Sequence, residues 1–206
     1  HPVAGSSSRP AAGAGAAQHH GSFGVGDSLR ADDASGTASL PGPAPIRVRL
    51  ATREPFDADT LLAFLGERAV AGLEAWDGTT YRRSLVLPHG HATVGCAATQ
   101  GGVAAEFRLT DLRDLAPAVA RVRRLLDLDA DPVAVAEVLG ADPMLRPLVA
   151  DRPGLRMPGS VDPHEIMVRA IVGQQVSGAG ACTVVGRFVE AFGEDLGFAD
   201  PDLGHV

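Results

Sequence analysis

The stretch YRRSLVLPHGHATVGCAATQGGVAAEFRL, spanning Tyr81–Leu109, decides the architecture. Three runs within it are rich in apolar residues and patterned as strands: Tyr81–Leu87, Ala92–Ala98 and Val103–Leu109. Pro88-His89-Gly90-His91 separates the first pair and Gln100-Gly101-Gly102 the second, and both separators have turn composition. Strands so close in sequence pair antiparallel. His89 and His91 flank a glycine in the first turn, an arrangement that can ligate zinc. No Cys, His or carboxylate recurs at supporting spacing, so a solvated turn is the expected role.

The same grammar extends in both directions. Upstream, Ile46-Arg47-Val48-Arg49-Leu50 alternates like a half-buried strand. Asp57 can cap a helix with Leu61, Leu62, Phe64, Leu65 and Ala69 on one broad face, ending near Ala71-Gly72. Trp76 and Tyr81 read as packing or strand-edge residues. Downstream, Asp111 opens an amphipathic helix to about Leu126, with Leu115, Val119, Val122 and Leu126 inward. Arg121, Arg123 and Arg124 face outward, as solvated helix surfaces usually do. The order β-α-β-β-β-α predicts an α+β domain over residues 45–126, a small antiparallel sheet with two helices.

Past residue 126 the strand signal stops. Helical stretches are expected at Asp131–Leu139, Asp142–Ala150, Asp162–Val172 and Ser177–Phe192, with no element from Gly197 to Val206. Residues 127–206 therefore read as an incomplete all-α region. At the other end, 29 of the first 44 residues are Gly, Ala, Ser or Pro, too little apolar surface to offset ordering entropy. Residues 1–44 read as a disordered tail or linker, and Gly21-Ser22-Phe23-Gly24-Val25-Gly26 within it as low complexity rather than a phosphate loop.

The net charge of −7 and pI near 5.4 exclude a global positive field, so any nucleic-acid contact must be local. All 18 basic residues are arginine. Cys96 and Cys182 read as two buried free thiols, with a single long-range disulfide as the alternative. No run is long enough to span a bilayer, and the chain reads as soluble and cytoplasmic, with no membrane partner. Ser84, Ser160 and Ser177 lack a nucleophile-elbow context.

Around Gln174-Gln175 the pattern becomes specific. Asp162, Pro163 and Glu165 form a capping-box-like helix start, the helix should end near Gly173, and Ser177 can cap the next one. Two amide side chains are left on a tight connection between rigid elements.

Two groups of residues carry a family resemblance. The first is Leu61-Leu62-Ala63-Phe64-Leu65-Gly66-Glu67-Arg68-Ala69-Val70 with Tyr81-Arg82-Arg83-Ser84-Leu85. The second is Arg152-Pro153-Gly154-Leu155-Arg156-Met157-Pro158-Gly159, Asp162-Pro163-His164-Glu165 and Arg169-Ala170-Ile171-Val172-Gly173-Gln174-Gln175-Val176-Ser177. Over about residues 45–196 the chain resembles AlkA-type DNA-3-methyladenine glycosylases: a TBP-like N-terminal domain followed by the start of a helix-hairpin-helix glycosylase domain.

The resemblance implies a base-excision hydrolase without a cofactor, acting as a monomer on double-stranded DNA containing alkylated bases. Such an enzyme flips an alkylated purine from the duplex and hydrolyses its N-glycosidic bond. It implies a DNA-contacting connector at Gln174, Gln175, Val176 and Ser177, with Gln175 at the wedge position where some relatives carry leucine. It places Phe64, with Arg68 beside it, at the pocket for the flipped base, although Phe64 also suits ordinary core packing. The family's catalytic aspartate follows a glycine-containing hairpin and would lie beyond Val206, so no catalytic role falls on Asp195, Asp200 or Asp202 and the 206 residues alone should be inactive. Residues 1–44 would suit a linker to an upstream Ada-like regulatory domain, which keeps open a DNA-binding or regulatory module as the alternative.

Overall fold

A computed structural model describes residues 42–200 and 203–205. The predicted tail therefore lies, up to residue 41, outside the described residues. The central feature is a five-stranded antiparallel sheet. Its strands are β1 (Ile46–Ala51), β2 (Glu74–Trp76), β3 (Thr80–Val86), β4 (His91–Thr99) and β5 (Gly102–Leu109), in spatial order β1-β5-β4-β3-β2. The expected meander forms β3 to β5, and β1 closes the far edge by pairing Ile46 with Phe107 and Leu50 with Val103.

The period-2 alternation sorts the side chains onto two faces. One face presents Leu50, Tyr81, Leu85, Val94, Cys96, Val103, Ala105 and Phe107, all buried. Against it pack α1 (Ala58–Gly66), through Leu61 and Leu62, and α2 (Leu115–Leu125), through Ala118, Val122 and Leu125. Removing side chains of this size from water is the main stabilising term, about 1.5–3 kcal/mol for each large one.

Several expectations about this domain change. The helix after Asp57 starts as expected, with the Asp57 carboxylate accepting from Thr60 N at 3.1 Å, but it ends at Gly66 rather than Ala71-Gly72. The Trp76 side chain packs directly over Gly66, where any Cβ would collide with it. The chain then turns back, and the Glu74 carboxylate accepts from Val70 N at 3.0 Å. That reversal creates β2, an edge strand of three residues and too short to show periodicity; it carries Trp76. Asp111 caps a single 3-10 turn, Leu112–Asp114, before α2 begins. The His89 turn is tethered rather than merely solvated: Asp114, buried at this junction, accepts from His89 N at 3.0 Å and pairs with its Nδ1 at 2.8 Å. Arg121 donates to the Val86 carbonyl, and Arg123 pairs with Asp129 and bonds the Ala51 carbonyl, so both reach back onto the protein.

The helical region contains α3 (Pro132–Gly140), α4 (Arg146–Asp151), α5 (Pro163–Gly173) and α6 (Gly178–Phe192). Helix α4 starts later than expected because the Asp142 carboxylate holds a turn, accepting from Met144 N and Leu145 N. The loop from Arg152 to Gly159 is stitched to the α+β domain: Arg156 donates to the carbonyls of Arg53 and Ala130, and Gly159 N to the Leu125 carbonyl. Apolar side chains remain exposed along these helices, including Val138, Leu148, Ile171, Phe188 and Phe192. The terminal stretch, expected to hold no element, forms a short ladder of β6 (Ala199–Asp200) with β7 (Gly204–His205). Asp200 is buried there and accepts from the Thr93 hydroxyl of β4 at 2.6 Å. Two-residue strands carry no pattern to read.

Candidate nucleic-acid interface

Helix α5 is fixed at its start by the Asp162 carboxylate, which accepts from His164 N at 2.8 Å and Glu165 N at 3.0 Å, with Pro163 at the first helical position. The Glu165 amide, then that of His164, hold the Asp162 carboxyl below the usual range. The reciprocal half of the capping box is absent. Asp162 N donates instead to the Ser160 hydroxyl, at 3.2 Å, and the Glu165 carboxylate turns toward the sheet.

There it enters a buried ionic cluster that sequence reasoning missed. Arg83, whose side chain is 3% exposed, sits between Glu165 at 2.7 Å and Glu74 at 3.3 Å. Arg169 spans the same two carboxylates, at 2.8 Å from each. The Tyr81 hydroxyl donates to Glu74 at 2.6 Å, and burial pushes the Tyr81 phenol well above its ordinary pKa. Burial alone would lower the pKa of Arg169; Glu74 and Glu165 more than offset it and keep the guanidinium charged. The available signal was Arg83 itself, which occupies the inward parity of β3 between Tyr81 and Leu85.

This clamp fixes the helix that delivers the connector. Gln174, Gln175, Val176 and Ser177 are all exposed, and they lie between the end of α5 and the start of α6. Gln174 keeps helical dihedrals at the C-cap, whereas Ser177 is extended, with its hydroxyl accepting from Gly180 N at 3.2 Å. The amide side chains thus project from a tight turn between two capped helices.

Phe64 is 41% exposed and lies outside the core, with the Arg68 guanidinium carbon 3.7 Å from the centroid of its ring. Arg68 also donates to the Phe64 carbonyl, at 3.1 Å. Its own carbonyl accepts from Cys182 Sγ of α6 at 3.4 Å, which links this pair to the second connector helix. Cys182 is therefore only partly buried, unlike Cys96, and both thiols are free. Among the described residues no group of His, Cys, Asp and Glu is arranged to hold a metal ion, and no helix is long and apolar enough to cross a membrane.

Residues 47–162, from β1 to the N-cap of α5, match the AlkA N-terminal domain family. The chain belongs to that family. A probable bifunctional transcriptional activator/DNA repair enzyme AlkA from Mycobacterium tuberculosis is 44% identical over 162 residues, covering 79% of this chain and 32% of the relative. DNA-3-methyladenine glycosylase 2 of Escherichia coli is 35% identical over 144 residues, covering 69% of this chain and 49% of the relative. Among solved structures, a 3-methyladenine DNA-glycosylase from Archaeoglobus fulgidus superposes with TM-score 0.63 at 18% identity, over 72% of this chain and 51% of that one. The AlkA-family fold is thus shared, and the chain spans a third to a half of the length of these relatives.

Proposed function

We propose that this chain is the damage-recognition part of a base-excision DNA glycosylase that removes alkylated purines, 3-methyladenine among them, from duplex DNA. The observation that carries the reading is the exposed connector Gln174–Ser177, held between capped helices and braced by Arg83 and Arg169. Extruding a base costs a few kcal/mol of stacking and pairing, which something must offset from inside the duplex. A glutamine at position 175 can fill the vacated space and hydrogen-bond the base left behind. Phe64 offers a π-face for an electron-poor alkylated ring, with Arg68 covering one side of it. No residue here is assigned the hydrolytic step, and on this reading the 206 residues hold distorted DNA without releasing a base. The Mycobacterium relative's name pairs repair with transcriptional activation; this chain corresponds to the repair side of such a pairing and acts as a monomer.

The test is binding to a duplex containing an abasic-site analogue against the same duplex intact. The wild-type chain should prefer the lesion, and the pair Gln174→Ala with Gln175→Ala should erase the preference. Equal affinity of the wild-type chain for both duplexes refutes the reading.

A further inference from the structure

From Ala170 to Gly186 the chain carries no charged residue, so the connector cannot itself neutralise phosphate. A chain of net charge −7 needs a local basic surface to hold DNA at all. The sheet face turned away from α1 and α2 provides one. Strand register places Arg47 beside Glu106, Glu106 beside Gly95 and Gly95 beside Arg82; the next row runs Arg49, Ala104, Ala97, Thr80. Small residues in the middle and arginines on both banks make a trough of about 440 Å³, and Arg108 also lines it. A Cβ at position 95 would come within 2.5 Å of an Arg82 guanidinium nitrogen, so the glycine is what lets that arginine lie across the floor.

Arg47, Arg49 and Arg108 are only partly neutralised. Glu106 is shared between Arg47 at 2.9 Å and Arg108 at 3.2 Å, and Asp77 stands 3.8 Å from Arg82. Asp200, which accepts from Thr93, also lines the trough. Arg49 donates to the Gln100 carbonyl and has no carboxylate partner among the described residues. The Arg47 side chain is 82% exposed.

We infer that this open sheet face binds the phosphodiester backbone of duplex DNA. Arg47 and Arg49 stand two residues apart on an edge strand, about 7 Å along it, a spacing on the scale of neighbouring phosphates. Guanidinium forks match phosphate oxygens in pairs. Among the described residues no aromatic side chain lines the trough, which disfavours base stacking and with it a single strand or a nucleobase pocket. The contact is sequence-independent and strongly salt-dependent. It rests on the repair reading above but uses residues that reading does not.

Fluorescence anisotropy of a short undamaged duplex across a salt series tests it with the whole chain. Each lost phosphate contact lowers the slope of log K against log salt by about 0.9. Arg47→Ala with Arg49→Ala should therefore lower it by about 2, while Arg47→Lys with Arg49→Lys should restore most of it. Both positions are exposed, so circular dichroism should match wild type. An unchanged slope in the alanine pair overturns the inference while leaving the connector reading intact. Polyglutamate of equal charge competing as well as duplex overturns it in favour of an acidic protein partner. Failure of the wild-type chain to bind any duplex overturns the repair reading as well.

Discussion

Replacing Arg83 by methionine keeps most of the side-chain volume but removes one positive charge from between two carboxylates. Glu74 and Glu165 then share Arg169 alone, with the Glu74 side chain 5% exposed. Breaking a buried ion pair from one side costs about 3–5 kcal/mol, because an uncompensated charge stays buried. Arg169 remains 2.8 Å from both carboxylates, so the expected loss lies at the low end, about 3 kcal/mol. Urea unfolding at neutral pH reads this loss. Adding Glu165→Gln to Arg83→Met should recover part of the stability. A loss below about 1 kcal/mol at neutral pH, typical of an exposed pair, would refute the assignment of this cluster as a buried clamp.

Asp162→Ala should cost about 1 kcal/mol at neutral pH as a lost N-cap. Because the folded carboxyl is held low, the difference from wild type should persist down to its ordinary value of 3.8 and vanish as the pH falls through the depressed one. Gly66→Ala should destabilise the chain by about 1–3 kcal/mol through overpacking against Trp76, seen as a lower melting temperature and a shifted tryptophan emission. Burial pushes the Cys96 thiol up to about 12, so a thiol reagent at mildly alkaline pH should modify Cys182 alone in the native chain and both cysteines in denaturant.

How much was legible in sequence follows from the range of the forces involved. The β3–β4–β5 meander and the Asp57, Asp162 and Ser177 caps depend on neighbours within a few residues, and each was readable. The early stop of α1 depends on Trp76 reaching back to Gly66, and the β2 strand exists only because that reversal occurs. Glu165 looked like a capping-box partner because its spacing is local, yet a guanidinium far away in sequence outcompeted the Ser160-bound N-cap amide for its carboxylate. Gln174 and Gln175 were visible as two amide side chains on a tight connection between two helix signals. The arginine-banked trough was not, since residues from four strands meet there only once register is known.

The bond from Thr93 to Asp200 closes 107 residues of chain onto the sheet. With Arg83 and Glu165 holding the start of α5 to β3, it ties the segment that follows α6 to the adjacent strand β4, so the α5–α6 hairpin is tethered on both sides. A two-legged arch of this kind cannot swing about one pivot, so the orientational entropy of the connector at its top has already been surrendered during folding.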